Sequence, residues 1–597
     1  MLETNLLYYG DNLEILRRYI PDESVDLVYL DPPFNSQRDY NVIFKNEAGS
    51  KSDAQLIAFE DTWHWGPNAE GTYFYLTNSA RNEGRVPESV SQIVAALRSG
   101  IGENPMMAYL VEMTIRLVEL RRVLKSTGSI YLHCDPTASH YLKVILDAIF
   151  GPKMFRSEIV WKRSYAHSDT KQGRQIHGHI HDALLFYTRS DKWIWNPVYT
   201  EYTPEYLAME YRHVDTAGRH YKETDLTAAK PGGDTEYDWH VKRSANSGER
   251  WQADLDGGYL RPTPGWEYRS VRPYRGRYWA FAKQGLIEFA RTGKLIHRET
   301  GAPRLIQFAD EMPGIPLQDI WDDIGPALGD EDLGYPTQKP EQLLERIISS
   351  SSNPTDVILD PFCGCGTALI AAQKLGRRWV GIDITYLAVA VMRARLRDRF
   401  GLEDVKVVGQ PTEVEGARQL AASAEGRYQF QWWALGLIDA RPVGGIEKKG
   451  SDRGIDGVIS FTDHHGELYR VLVSVKSGGV NSAMVRDLKG TIEREKAAIG
   501  VFITLEPYTK EMKLEADTAG LWRSEVWKRD YPRIQILTIA DLLAGKKPQL
   551  PPFVMPTYQQ APRVVAEADQ PGLFDTPAPL KKVAEAKPHK YVAEKDG

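Results

Sequence analysis

Two apolar runs in this chain each end on an acid followed by proline. The run Val25–Leu30 (VDLVYL) leads into Asp31-Pro32-Pro33-Phe34, and Val357-Ile358-Leu359 leads into Asp360-Pro361-Phe362-Cys363-Gly364-Cys365-Gly366-Thr367. Short apolar runs closed by Pro and Gly read as buried strands. Buried strands alternating with helices mean an open α/β sheet, and such sheets bind ligands at the carboxyl ends of their strands. Both segments lie at such ends. Far apart in sequence, they can still build one site.

The rest of the chain fits that constraint in blocks. Residues 1–190 alternate strands (VDLVYL, GSIYLHCD, DALLFYT) with helices (AYLVEMTIRLVELRRVLK, SHYLKVILDAIF). The first helix repeats apolar residues at three and four spacing and ends in basic residues, which suit its dipole. Across 191–333 the pattern dissolves into Pro, Gly, Trp, Tyr and Arg. From 334 to 412 strict α/β order returns: helix PEQLLERIISSS, strand DVILD, a glycine turn, helix ALIAAQKLG, strand RRWVGIDI and a long Arg-rich helix. Residues 425–548 form another α/β block, and 551–597, rich in Pro, Ala and Lys, read as disordered. At 597 residues the chain exceeds a single core. Its three cysteines cannot form a disulfide framework, and Cys363 and Cys365 fit no common zinc spacing. A reducing cytosol is expected. The start lacks a secretory pattern, and no apolar run reaches the ~20 residues of a membrane span. A net charge of −6 excludes a generic polyanion binder, so any nucleic-acid contact must be local.

The strand–DPFCGCGT–helix unit is a glycine turn feeding a helix N-terminus. Its glycines let a ligand approach the backbone, and its free N–H groups favour a carboxylate or phosphate. The next strand ends at Asp383, roughly twenty residues on, where an acid suits two ribose hydroxyls. The turn is not G-x-G-x-x-G, which disfavours a dinucleotide.

The block YPTQKPEQLLERII, then DPFCGCGT, then VGID resembles the cofactor half of the DNA amino-methyltransferases that use S-adenosylmethionine. With the catalytic half first, an insert next and this half last, the order is that of their permuted β group. The resemblance covers roughly residues 5–410 and implies a doubly wound, Rossmann-like α/β sheet of circularly permuted motif order. It implies that Asp360, Phe362 and the backbone of Gly364 and Gly366 hold the methionine part of S-adenosylmethionine. Asp383 would take the ribose, and Thr337 and Lys339 would lie near the methionine carboxylate. Asp11, in YYGDNLEIL, would lie near the adenine; it also reads as an ordinary strand-end turn acid.

Asp31-Pro32-Pro33-Phe34 suits amine methylation. The exocyclic amine of adenine is a poor nucleophile, because its lone pair is delocalised into the ring. Asp31 supplies a carboxylate and Pro32 a carbonyl to accept its two N–H bonds, and the prolines fix both acceptors. Positioning then supplies much of the barrier reduction. The base must leave the duplex, and Phe34 offers it a stacking face. In the resembled family Asp at this place is typical of adenine-N6 and Ser of cytosine-N4 methylation; Asp31 favours adenine and leaves cytosine-N4 open. Cys134, in YLHCDPT, lacks a preceding proline and reads as a buried strand-end cysteine rather than a cytosine-C5 nucleophile. His177, His179 and His181 alternate as metal ligands on a strand could, but amine methylation needs no metal.

Segments 156–174 and 261–281 interleave Arg and Lys with Trp and Tyr. Arg269, Arg272, Arg275 and Arg277 are the candidates for double-stranded DNA contact, in the family's target-recognition position. Residues 450–479 resemble Mrr-like PD-(D/E)XK restriction endonucleases. Asp456 and Lys476 match, Asp456 being a candidate Mg²⁺ ligand, but the middle position is Ser474, a poor Mg²⁺ ligand. Glu493 or Asp487 could supply a migrated acid. Gln570-Pro571-Gly572-Leu573-Phe574 resembles bacterial sliding-clamp ligands. The leading expectation is a DNA adenine-N6 methyltransferase fused to a nuclease-like domain, in the bacterial or phage cytoplasm, nucleoid-associated. Three rivals stay open: a bifunctional restriction-modification enzyme, a cytosine-N4 methyltransferase and a non-enzymatic DNA-binding adaptor.

Overall fold

The two acid-ended strands are neighbours. In the computed structural model, Leu27 and Val28 pair in parallel with Ile358 and Leu359, so Asp31 and Asp360 emerge at one sheet edge. The structure describes residues 2–33, 63–164, 177–246, 248–333, 335, 337–443, 454–463, 467–552 and 554, and the backbone alone of 39–45 and 51–60.

The main sheet has nine strands: β1 (Leu6–Tyr9), β2 (Val25–Leu30), β3 (Leu124–Cys134), β4 (Phe155–Trp161), β5 (Asp182–Thr188), β6 (Ile320–Trp321), β7 (Val357–Asp360), β8 (Arg378–Asp383) and β9 (Val407–Val408). Their order is β6-β4-β5-β3-β2-β7-β8-β1-β9. β5 pairs antiparallel with both neighbours, and the other pairings are parallel. Every residue of β2 is buried. Its side chains alternate: Val28 and Leu30 enter one core, Leu27 and Tyr29 the other. Helices α1 (Asn12–Tyr19), α2 (Pro105–Val123) and α3 (Pro136–Phe150) cover the first face through Leu16, Leu117 and Leu142. Helices α4 (Glu341–Ser351), α5 (Thr367–Lys374) and α6 (Tyr386–Phe400) cover the second through Ile347, Leu369 and Leu396. A sheet covered on both faces explains the continuous apolar runs. Capping follows the sequence signals. Asn104 accepts from Met107 N–H at the start of α2, Asp135 accepts from Ala138 N–H at the start of α3, and Arg121 and Arg122 close α2.

The Arg- and aromatic-rich stretch folds mainly into small antiparallel sheets. One holds His213–Val214, His220–Asp225, Leu295–His297 and Pro303–Phe308, and another Trp239–Ser244 between Gln252–Ala253 and Trp266–Val271. Its core includes Leu226, Trp239, Val241, Trp251 and Trp279. Ile320–Trp321, near its end, joins the main sheet as β6. Buried His297 accepts from Trp239 Nε1 at 3.0 Å. Burial lowers the His297 pKa to about 4. Its folded value lies below the unfolded value of about 6.5, so its contribution is present above pH ~6.5 and lost as pH falls towards 4. That contribution is on the order of 3 kcal/mol. A His297→Leu variant should therefore show a flatter fall in melting temperature between these pH values than the wild type.

The last block is a five-stranded sheet: β10 (Arg441–Pro442), β11 (Gly457–Thr462), β12 (Leu468–Lys476), β13 (Ile499–Thr504) and β14 (Ile534–Thr538), in that order. Helix α7 (Ala424–Gly436) joins it to the main sheet, because Phe430 and Trp433 share one core with Tyr386, Leu387, Phe461 and Val473. Helices α8 (Ser482–Arg494) and α9 (Lys510–Asp517) cover its other face through Val485, Leu488 and Met512. Among the described residues, no helix is long and apolar enough to cross a membrane.

Candidate functional site

A cavity of about 310 Å³ opens where β1, β2, β7 and β8 end. Asp11, Asp31, Pro33, Thr337, Lys339, Asp360, Phe362, Gly364 and Asp383 all line it. Residues from both ends of the main sheet's sequence thus meet in one place. Pro32 is buried, and Phe34 lies outside the described residues.

The glycine turn is shaped by backbone conformations that glycine adopts readily. Gly364 and Gly366 have φ of +48° and +80°, and a Cβ on Gly366 would meet Met392 Cγ at 2.6 Å. Asp383 holds the turn. Its Oδ2 accepts from Gly364 N–H at 2.9 Å, and its Oδ1 accepts from Thr385 N–H and Oγ1–H, each at 2.8 Å. Asp360 is buried and accepts from Phe362 N–H at 3.1 Å. Burial pushes the Asp360 carboxyl well above the usual range, and the charges of Asp31 and Asp383 add to this against Lys339. Burial likewise raises Asp383, against the bonds it accepts. Of the four aspartates that line the cavity, Asp11 is paired with Arg116, and Asp31, Asp360 and Asp383 outnumber Lys339, so a cationic ligand is favoured.

Lys339, expected beside a carboxylate of the ligand, donates to Asp31 Oδ2. Asp31 Oδ1 is buried and has no hydrogen-bond partner among the described residues. A carboxylate oxygen so placed is an acceptor waiting for a donor. Asp11 is committed to its own chain. Its Oδ1 caps α1 through Leu13 and Glu14 N–H, and its Oδ2 accepts from Arg116 at 2.9 Å. Arg116 also donates to Asn12 Oδ1 at 2.7 Å, and Asn12 Nδ2 donates to the Pro361 carbonyl at 2.9 Å. This chain of bonds ties the start of the sequence to the glycine turn.

Several cavity residues escaped the sequence reading: Asn12, Arg116, Tyr335, Trp63 and Tyr29. Tyr29 leads into a buried polar row. Its hydroxyl lies 2.9 Å from His133 Nδ1, and His133 Nε2 lies 3.1 Å from Asp182 Oδ2.

These features match a known family. The family model described as DNA methylase, for N6 and N4 enzymes, fits residues 25–391, more than half of the chain. The chain belongs to the N6/N4 DNA methylase family. It is 30% identical over 290 residues to the type II methyltransferase M.EcaI of Enterobacter cloacae, covering 48% of this chain and 57% of that one. It is 25% identical over 387 residues to the Mod subunit of the type III restriction-modification enzyme StyLTI of Salmonella typhimurium, covering 62% and 50%. The chain thus spans about half the length of the curated relatives it matches. Among solved structures, TTHA0409 of Thermus thermophilus, complexed with S-adenosyl-L-methionine, aligns at 15% identity with a TM-score of 0.29, over 68% of this chain and 99% of that one. A second family model, a NACHT-associated inactive restriction endonuclease, fits residues 445–544.

In this methylase-family chain the insert arginines are largely engaged internally. Arg269 packs on Trp251, with its guanidinium carbon 4.7 Å from the ring centroid, and Arg272 pairs with Asp238. Arg277 donates to the Thr227 carbonyl at 3.1 Å. Arg275 is exposed beside Tyr274, which is 63% exposed. Residues 165–174 lie outside the described residues. His177 and His179 are exposed and stand outside any strand, and no His/Cys/Asp/Glu group among the described residues could hold a metal.

In the last block, Asp456, Ser474 and Lys476 do meet. Asp456 Oδ2 accepts from Val475 N–H at 2.7 Å and Ser474 Oγ–H at 3.2 Å, with Lys476 Nζ at 3.5 Å. Asp487 and Glu493 are exposed on α8, and neither completes the group. One carboxylate, a hydroxyl and an ammonium do not fit Mg²⁺, which takes oxygen ligands and needs their negative charge. Gln570–Phe574 lies outside the described residues.

Proposed function

We propose that this chain is an S-adenosylmethionine-dependent DNA methyltransferase that modifies the N6 amine of adenine flipped out of a duplex. The observation that carries this reading is the buried Oδ1 of Asp31, without a partner among the described residues and facing the same cavity as the glycine turn. When bound, S-adenosylmethionine supplies a methyl group on a cationic sulfonium. The cavity fits such a cation, because Asp31, Asp360 and Asp383 ring it. Asp360 and the Gly364 and Gly366 backbone would hold the methionine part, and Asp383 the ribose. Asp31 Oδ1 accepts one amine N–H and the Pro32 carbonyl the other, which turns the nitrogen lone pair towards the methyl group. Trp63, on the cavity wall, offers an aromatic face for the extruded base. Family resemblance at Asp31 favours adenine over cytosine-N4. Arg275 with Tyr274 is the insert element best placed to touch DNA.

The test is nucleoside analysis of DNA from cells expressing the protein. N6-methyladenine is expected; N4-methylcytosine would move the target, and no modified base would remove the reading.

The block after residue 425 is proposed as a non-cleaving, nuclease-like module, because Asp456 is held by its own chain's donors and a serine fills the middle position. Unmethylated plasmid should stay intact with Mg²⁺ present. Cutting that disappears on Asp456→Ala would restore the restriction-modification reading.

A further inference from the structure

Methyl transfer to an amine leaves a proton to dispose of, and the site contains an unassigned path for it. Tyr29 and Asp31 are two residues apart at the end of β2, so their side chains leave the same face, and both line the cavity. Tyr29 is hydrogen-bonded to His133 on β3, and His133 to Asp182 on β5, a row crossing three adjacent strands. All three residues are at most 3% exposed. Polar groups buried this deeply are costly in a core unless bonded, and this hydrogen-bonded row ends at the ligand cavity.

The charge state of Asp182 fixes the direction of the bonds. Burial works to raise its carboxyl, but the bond from His133 and the charges of His133, Lys339 and Arg163 outweigh it and hold the group below its usual value. Asp182 is therefore ionised and can only accept, so His133 Nε2 carries the proton. In the neutral ring, Nδ1 then carries the lone pair and accepts from the Tyr29 hydroxyl. That leaves the Tyr29 oxygen with acceptor capacity, next to a carboxylate already engaged by Lys339.

We propose that Tyr29 and His133, oriented by Asp182, take the proton released by the methylated amine. This rests on the methyl-transfer reading. As the new N–C bond forms at the expense of the donor's S–CH3 bond, which leaves a neutral thioether, the amine N–H bond held by Asp31 Oδ1 breaks and its proton passes through that carboxylate to the Tyr29 oxygen. The Tyr29 O–H proton passes to His133 Nδ1, giving an imidazolium beside the Asp182 carboxylate. The proton returns to solvent through Tyr29 once product leaves the cavity. Oxidation states are unchanged and no further reactant is needed. Asp31 touches the substrate; Tyr29, His133 and Asp182 act through it. Asp182 faces His133 from β5; Asp31 and Asp360 act on Tyr29, Lys339 and Arg163 act on Asp182, and Asp135 and Glu158 act on the neighbouring Cys134. Trp161 adds only a ring edge, with centroids 5.6 Å apart.

The experiment is single-turnover methylation of adenine-containing duplex DNA by the full chain, as a function of pH. His133→Gln is the informative variant, because its amide can still donate to Asp182 and accept from Tyr29 but cannot take a proton. A base in the relay should give the wild-type rate an acid limb. His133→Gln should lose on the order of 10²-fold at neutral pH, the lower end of the range for general base catalysis, and lose that acid limb. Tyr29→Phe should behave alike, with S-adenosylmethionine affinity unchanged in both. A His133→Gln or Tyr29→Phe protein with the wild-type rate and acid limb overturns the relay while leaving the methyltransferase intact. A wild-type protein that methylates no DNA fails the functional reading instead, and the relay with it.

Discussion

Asp31→Ala is expected to lower the single-turnover rate of methyl transfer by about 10³-fold or more, the scale seen when a preorganised polar group is removed at the reacting centre. Affinity for S-adenosylmethionine should change by no more than a few-fold. The asymmetry follows from the geometry. Asp31 Oδ2 is occupied by Lys339, while Oδ1 is the buried acceptor with no partner among the described residues. Alanine removes the acceptor and leaves the glycine turn and Asp383 untouched. It also takes the Asp31 carboxylate from the Lys339 side chain, which is only 11% exposed. Breaking such a pair costs several kcal/mol of stability, up to about 3–5. Asp31→Asn separates the two effects, because an amide oxygen can still meet the amine while the charge is lost. It should retain more activity than Asp31→Ala. Transfer of labelled methyl groups, beside calorimetry with cofactor alone, decides the matter. An Asp31→Ala protein that transfers methyl groups at the wild-type rate removes Asp31 from the chemistry.

The sequence makes the parts of this site visible and leaves their joints hidden. Strand β2 is legible because all six of its residues are buried, and the glycine turn because its φ values demand glycine. That β2 and β7 are neighbours is a long-range pairing, which no local pattern encodes. Asp11 shows the limit well. The residue stands at the right edge, but whether a carboxylate faces a ligand or an arginine depends on Arg116, which α2 brings from a distant part of the chain. His133 is silent in the sequence because a single histidine in an apolar strand has no periodic signature. Its meaning comes from Tyr29 and Asp182 on the strands beside it. The insert arginines are ambiguous for the opposite reason. Arginine interleaved with tyrosine looks the same whether the charge meets DNA or, as with Arg272, an aspartate on the adjacent loop. In the last block, sequence already places a serine where an acid is needed. The structure adds that Asp456 accepts from Val475 N–H and Ser474 Oγ–H on β12.

Asp383→Ala should weaken S-adenosylmethionine binding by about 10²- to 10³-fold, the product of losing hydrogen bonds to a charged group worth ~1.5–3 kcal/mol each. Asp383 acts twice in this reading. Its oxygens offer acceptors to the ribose, and they also hold Gly364 N–H at 2.9 Å and Thr385 N–H at 2.8 Å. Alanine therefore removes a ligand contact and releases the turn that shapes the pocket. Asp383→Asn keeps one oxygen, which can serve Thr385 or Gly364 but carries no charge, and should fall between the two. The kinetic signature is the reverse of that for Asp31. Binding and KM suffer, and saturating cofactor recovers much of kcat, because Asp383 stays in place as the methyl group moves and contacts no reacting atom. Calorimetric titration of cofactor into each variant, with kcat measured at increasing cofactor, tests both halves. If Asp383→Ala binds cofactor as tightly as the wild type, the ribose does not sit at β8. If it binds weakly and saturating cofactor fails to restore kcat, Asp383 also shapes the catalytic geometry through the glycine turn.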